Sequence, residues 1–230
     1  MIGHNLNVFE KGANMNESSK TLKLWSTEEK SLLSGEGIDI GCGNDPVTRA
    51  AIPFDVEHGD ANYISKFVNK KFDFVYSSHC LEHMSNPESA LKEWWSLVKP
   101  GGALIFIVPD EDLYEQGFFP SRFNQDHKFT FSISKYKSWS LNSINVIDLI
   151  KNLENHELIK LRLQDHNYDR AKQKWGKTLS LLSRLILKLS YHSFYKMGFS
   201  GIYEAILLQI HPDQTLSGAL AQIEVFLRKK

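Results

Sequence analysis

Four side chains in this 230-residue sequence have the chemistry and spacing of a reaction centre: His79, Glu82, His83 and His127. The first three fall within Ser77-Ser-His-Cys-Leu-Glu-His83, and His127 within Phe123-Asn-Gln-Asp-His-Lys128. Imidazole exchanges a proton near neutral pH, so His79, His83 or His127 could serve as the base that deprotonates a reacting hydroxyl. Imidazole with carboxylate is also a ligand set for a divalent ion, which makes Glu82, His83 and His127 metal candidates. If a helix followed Ser78, His79 and His83 would share a face, with Glu82 beside them. A third role is purely structural, with Glu82 and His83 capping and bracing that helix.

A second constellation lies upstream. Gly37-Ile-Asp-Ile-Gly-Cys-Gly-Asn-Asp-Pro46 reads as a short buried strand running into a glycine-rich turn. Without a Cβ, Gly41 and Gly43 let the backbone turn tightly and approach a ligand closely. Asp39 stands two residues before the turn. Asp55 ends the next apolar run, 16 positions on, near the ~20-residue spacing of an acid that holds a ribose. Gly59-Asp-Ala61 follows, then Phe72-Asp-Phe-Val-Tyr-Ser-Ser-His-Cys-Leu-Glu-His-Met84, and last Leu97-Val-Lys-Pro-Gly-Gly-Ala-Leu-Ile-Phe-Ile-Val-Pro109.

These blocks, in this order over residues 35–130, resemble the class I S-adenosylmethionine-dependent methyltransferases, in particular the type 11-like domains. The resemblance implies a Rossmann-like α/β fold whose mostly parallel sheet ends in an antiparallel last strand. It implies S-adenosylmethionine as the methyl donor. By the same resemblance Asp39 lies near the methionine amino group, Gly41 and Gly43 pass under methionine and ribose, and Asp55 holds the ribose hydroxyls. Asp60 and Ala61 border the adenine, and Ser78 and His79 line the pocket. Two features depart from the pattern. Asp45-Pro46 stands where a third glycine is common, and Pro46 could open a following helix. Asp55 and Asp60 are only five positions apart, which leaves little room for the usual helix and strand between them. Metal-binding methyltransferases with a Glu-His pair carry a second Glu where His79 stands, which counts against a metal. Proline in place of the third glycine of G-x-G-x-x-G argues against a nicotinamide oxidoreductase. A binding module that keeps the fold without catalysis is the competing class, and the intact Asp39, Gly41, Gly43 and Asp55 argue against it.

The elements that must position these residues alternate along the chain. Strands are expected at 37–40, 51–55, 71–77, 103–108, 158–163 and 221–228, and helices at 22–33, 87–98, 144–153 and 177–195. Such alternation argues a sheet covered by helices on both faces. Residues 1–34 read as an arm with a short helix, and 35–230 as the catalytic domain with a helical insert at about 166–218. The connection 109–140 is long enough to be functional. Its first part, the loop 109–128, reads as the acceptor wall: its carboxylates, Arg122, Asn124 and aromatics suit a small polar acceptor such as a sugar or glycan precursor, methylated at oxygen. Equal totals of 27 basic and 27 acidic residues remove any global attraction to nucleic acid. Two cysteines, Cys42 and Cys80, make no disulfide framework and point to the cytoplasm. No apolar run is long enough to span a membrane. The basic, apolar stretch 177–190 suits packing on the domain or a partner, with peripheral membrane contact as the alternative.

Overall fold

The computed structural model describes residues 17–175, 181–199, 202, 206 and 213–230. Its centre is a six-stranded sheet in the order β2-β1-β3-β4-β8-β7. The strands are β1 (Gly37–Ile40), β2 (Ile52–Phe54), β3 (Phe72–Ser78), β4 (Val98–Pro109), β7 (His156–Gln164) and β8 (Gln222–Lys229). The pairs β1–β2, β1–β3 and β3–β4 are parallel, while β8 runs antiparallel to both β4 and β7. The expected mostly parallel sheet with an antiparallel last strand is therefore present. All four residues of β1 are buried, as befits a central strand covered on both faces.

Two apolar layers sandwich the sheet. On one face Ile38, Ile40, Val75 and Leu104 pack with Leu91 and Trp94 of α3 (Pro87–Ser96) and with Leu149 and Ile150 of α4 (Val146–Lys151). Pro87 sits in the first turn of α3, where its missing N–H costs nothing, and the Asn86 side chain caps the Ser89 N–H. On the other face Phe74, Tyr76, Ile105 and Phe226 pack with Trp25, Leu22, Leu32 and Leu33. The segment expected to form one helix over 22–33 instead forms α1 (Glu17–Leu22) and α2 (Thr27–Ser31). Ser26 interrupts it and caps α2 in a reciprocal box with Glu29. Leu22, Trp25, Leu32 and Leu33 thus pack this segment on the sheet; residues 1–16 of the expected arm lie outside the described set.

Other differences are local. No helix follows the glycine turn: residues 41–51 pass to β2 through turns, and Pro46 opens no helix. No strand lies between Asp55 and β3, only a short helical turn at Ala61–Lys66. The helix expected at 144–153 is shorter because residues 143–145 form β6, which pairs with β5 (Thr130–Ser132). Of the insert, the structure describes α5 (Leu181–Ser190) and the turn after it, and residues 176–180 lie outside the described set. Leu182, Leu185, Ile186 and Leu189 of α5 are exposed among the described residues, and no described helix is long and apolar enough to cross a membrane.

Candidate active site

The neighbours of β1 are β2 on one side and β3 on the other, so the chain order reverses there. In open α/β sheets, ligands bind beyond the carboxyl ends of the strands at that switch point. Several of the residues singled out from the sequence gather at this edge. Gly41 and Gly43 follow β1, Asp55 follows β2, His79 follows β3, and Asp110 follows β4.

Gly41 and Gly43 adopt φ of +74° and +52°, the left-handed region that glycine tolerates. A Cβ on Gly41 would meet the Cys80 Cβ at 2.6 Å, whereas one on Gly43 would meet nothing within 4 Å. Gly41 is therefore dictated by close packing against the turn after β3, and Gly43 leaves open space over the strand ends. The Gly43 N–H donates to the Asp55 carboxylate at 2.7 Å, which locks the glycine turn to the end of β2. Asp39 is 1% exposed. One of its oxygens accepts the Val47 N–H at 2.6 Å, and the other, Oδ1, is buried with no hydrogen-bond partner. Burial raises its pKa to about 7, against the lowering effect of the Val47 N–H. Asp60 is exposed and caps the turn at residues 61–66 through the Asn62 N–H. Ser78 is buried, and its hydroxyl has no partner.

The histidine cluster forms without the expected helix. His79 has φ +52°, and Leu81–His83 is a single tight turn, so His79 and His83 share no helical face. They converge instead on Glu82, which is 0% exposed. From its nearer oxygen, Oε1, the His79 Nδ1 lies at 3.5 Å, the His127 Nε2 at 3.8 Å and the His83 Nε2 at 4.0 Å. Neither Glu82 oxygen accepts a hydrogen bond. The backbone brings His127 there: the Lys128 and Phe129 N–H groups both donate to the Glu82 carbonyl, at 2.9 and 3.3 Å, and the Lys128 ammonium donates to the His83 carbonyl at 2.7 Å.

Burial works to raise the Glu82 pKa, but the surrounding imidazoles, His79 foremost, override it and hold the group below its ordinary value. Burial likewise works to lower the His79 pKa, and the Glu82 charge overrides it, raising His79 to about 9. His79 is therefore a cation at neutral pH, with Nε2 donating to Gln222 Oε1 at 3.1 Å, and it is poorly placed to accept a proton. His127 and His83 differ. The Nδ1 of His127 meets the Glu115 carboxylate at 2.7 Å, and the Nδ1 of His83 meets the Asp126 carbonyl at 3.1 Å. Both acceptors select the tautomer with hydrogen on Nδ1 and a lone pair on Nε2.

These groups border a cavity of about 140 Å³ lined by Glu17, His79, Glu82, His83, Tyr114, Asn124, His127 and residues 215 and 219–222. Sequence reasoning had not singled out Glu17, Tyr114, Glu115 or Gln222. Nothing in spacing marks them, because they arrive from α1, the loop after β4 and β8. That loop is braced rather than loose. Buried Glu111 accepts from the Lys135 ammonium at 2.6 Å, the Ser138 hydroxyl at 2.8 Å and the Thr130 hydroxyl at 2.9 Å. Arg122 lies outside the cavity lining and donates to Gln116 Oε1 and the Lys174 carbonyl.

A doubly wound sheet with a glycine turn after its first strand and an acid at the end of its second defines a nucleoside-binding α/β enzyme. The sequence model of the methyltransferase-domain family matches residues 18–169, and the chain belongs to that family. It is a class I S-adenosylmethionine-dependent methyltransferase, and S-adenosylmethionine is its methyl donor. Solved structures of similar shape include a methyltransferase from Thermotoga maritima described as a possible histamine N-methyltransferase (16% identity, 94% of this chain and 88% of that one, TM-score 0.46). Others are one from Archaeoglobus fulgidus (13%, 93% and 94%, 0.48) and coclaurine N-methyltransferase bound to N-methylheliamine and the demethylated donor (13%, 95% and 72%, 0.46). Likenesses this distant bear on neither the acceptor nor the residues that serve it. No curated protein matches the sequence.

Proposed function

We propose that this methyltransferase transfers a methyl group to an oxygen of a small polar acceptor, with a sugar or glycan precursor preferred. The observation that carries the reading is the cavity bordered by Glu17, Tyr114 and Asn124, where His83 and His127 turn Nε2 toward the buried Glu82 carboxylate. At about 140 Å³ it is smaller than the ~300–1,000 Å³ of drug-sized pockets, which suits one sugar ring or the end of a larger molecule.

The residues present fit the donor. The unpartnered Asp39 Oδ1 can accept from its ammonium group, the open space over Gly43 accommodates its backbone-hugging portion, and Asp55 offers carboxylate lone pairs to the ribose hydroxyls. Asp60, Ala61 and Ser78 complete the adenine side and the wall. The donor supplies an electrophilic methyl on a sulfonium, and the remaining work is positioning and proton removal. His127, held by Glu115 as a catalytic imidazole is held by its orienting carboxylate, and His83, held by the Asp126 carbonyl, face the acceptor hydroxyl and activate it. His79 keeps the Glu82 charge compensated and anchors the turn to β8 through Gln222.

The test is transfer of labelled methyl from S-adenosylmethionine to a panel of monosaccharides, sugar nucleotides, phenols and amines. Transfer confined to hydroxyl acceptors supports the reading, and transfer confined to amines refutes the oxygen assignment.

A further inference from the structure

We infer that Glu82, His83 and His127 form a binding site for a divalent transition-metal cation, open toward the acceptor cavity. The inference rests on the proposed function only for its purpose; the site itself stands on geometry. One ligand atom from each of Glu82, His83 and His127 lies within 4.8 Å of the others, and Glu82 Oε1 stands 4.0 Å from His83 Nε2 and 3.8 Å from His127 Nε2. Ligand atoms around a four-coordinate zinc ion, at about 2.0–2.1 Å from it, stand roughly 3.3 Å apart. The three donors are thus poised slightly wider than a bound ion would draw them.

Three independent features favour a cation over a set of mutual hydrogen bonds. First, Glu82 is fully buried, yet both its oxygens lack a hydrogen-bond partner. His79 compensates the charge from 3.5 Å, but the carboxylate lone pairs stay unengaged, and a buried carboxylate favours a ligand that occupies them. Second, both histidines have Nδ1 engaged elsewhere, His127 on the Glu115 carboxylate at 2.7 Å and His83 on the Asp126 carbonyl at 3.1 Å. That outer arrangement, carboxylate or carbonyl behind the imidazole and the other nitrogen aimed inward, is the one metal-ligating histidines adopt. Third, the lone pairs and the Glu82 oxygen meet at the wall of a cavity. Two histidines and one carboxylate leave coordination positions free for water or substrate. With the ion bound, the two imidazoles would act on the acceptor through the cation instead of as free bases: a hydroxyl filling one of these positions would be polarised by it. His79 approaches the same Glu82 oxygen through Nδ1, at 3.5 Å, and its Nε2 is committed to Gln222, so it is a neighbour of the site and not one of its ligands.

The experiment uses the full chain stripped with a chelator and titrated with Co²⁺ alone, read by calorimetry and by visible d–d absorption. One ion per chain is expected, with low-symmetry absorption bands, and Zn²⁺ should displace it. His127→Ala and His83→Ala should each weaken Co²⁺ binding at least 100-fold. Glu115→Gln, which leaves the ligands in place, should weaken it roughly 10–100-fold and so serves if an alanine variant fails to fold. Wild-type binding equal to that of Glu115→Gln and of a folded His83→Ala or His127→Ala variant would overturn the site, as would no binding at all. The same samples are titrated with S-adenosylmethionine. Donor binding without cobalt binding removes the metal site and leaves the methyltransferase reading intact, and cobalt binding without donor binding does the reverse.

Discussion

Asp39→Asn is the substitution whose effect can be worked furthest from the structure. Burial raises the Asp39 pKa from 3.8 to about 7, a shift worth about 4 kcal/mol at ~1.4 kcal/mol per unit. The sign follows from proton counting. The unfolded chain releases this proton near pH 3.8, while the folded chain keeps it to about pH 7. Between those values the folded state binds more protons, so stability falls as pH rises, by up to about 1.4 kcal/mol per unit, and levels off above pH 7. Asparagine cannot titrate, so this component of the slope must vanish. The absolute stability of the variant is a poor readout, because the asparagine N–H₂ would itself be buried without an acceptor. Urea denaturation midpoints at several pH values from 5 to 8 isolate the slope, since all other titrating groups are common to both proteins. Parallel profiles for wild type and Asp39→Asn would refute the claim that Asp39 is a strained, desolvated acid.

Other outcomes are specific to single contacts. Asp55→Ala should weaken S-adenosylmethionine binding about tenfold or more in calorimetry while the circular dichroism spectrum stays native, given the ~1.5–3 kcal/mol of a charged hydrogen bond; unchanged affinity removes Asp55 from the ribose. Gly41→Ala should lower the melting temperature, because its Cβ would lie 2.6 Å from Cys80 on a φ of +74°; an unaltered melting curve would show that the turn yields without strain. Arg162→Met strips from the fully buried Glu224 the guanidinium whose Nε and Nη2 both donate to Oε2, at 2.9 and 2.6 Å. A loss of about 3–5 kcal/mol in denaturant titration is expected, and a loss below 1 kcal/mol would mean that Trp25 and Gln222, which also donate to Glu224, suffice.

The fold was readable where a short pattern has only one physical solution. β1, most of β3 and the 103–109 half of β4 are apolar runs buried on both faces, whereas Lys99-Pro-Gly-Gly102, which reads as a break before that strand, lies within β4, and α3 ends earlier, at Ser96. The placing of Asp39, Gly41, Gly43 and Asp55 at one edge of the sheet was readable because the glycine turn and the second acid each end an apolar run. What was not readable depends on backbone conformations that sequence spacing does not display. The i, i+4 spacing of His79 and His83 suggested a helix, but His79 takes a positive φ, and a tight turn brings both rings onto Glu82 by another route. Pro46 suggested a helix start, yet the Val47 N–H is taken by Asp39, so the chain is committed to a turn. Glu115 and Gln222 owe their place at the site to tertiary pairing, 12 and 143 residues from the histidines they hold.

Asp39 and Glu82 have a shared physical logic. Each is a buried carboxylate with at least one oxygen left without a donor, one beside the glycine turn and one beside the acceptor cavity. A fold that holds anions in this way is less stable empty than filled, and ligands that bring positive charge should stabilise it beyond their contact area. The demethylated donor retains the ammonium group that Asp39 awaits, whereas methylthioadenosine keeps the nucleoside but lacks it. At concentrations giving equal occupancy, the demethylated donor should lose much of its affinity and stabilising effect on Asp39→Asn, and methylthioadenosine should lose neither. Thermal shifts over a concentration series convert directly to affinities, because binding to the folded state alone adds RT ln(1 + [L]/Kd) to stability. If both ligands lost affinity equally, Asp39 would be acting through the glycine turn as a whole, and its free oxygen would not be the ammonium's partner.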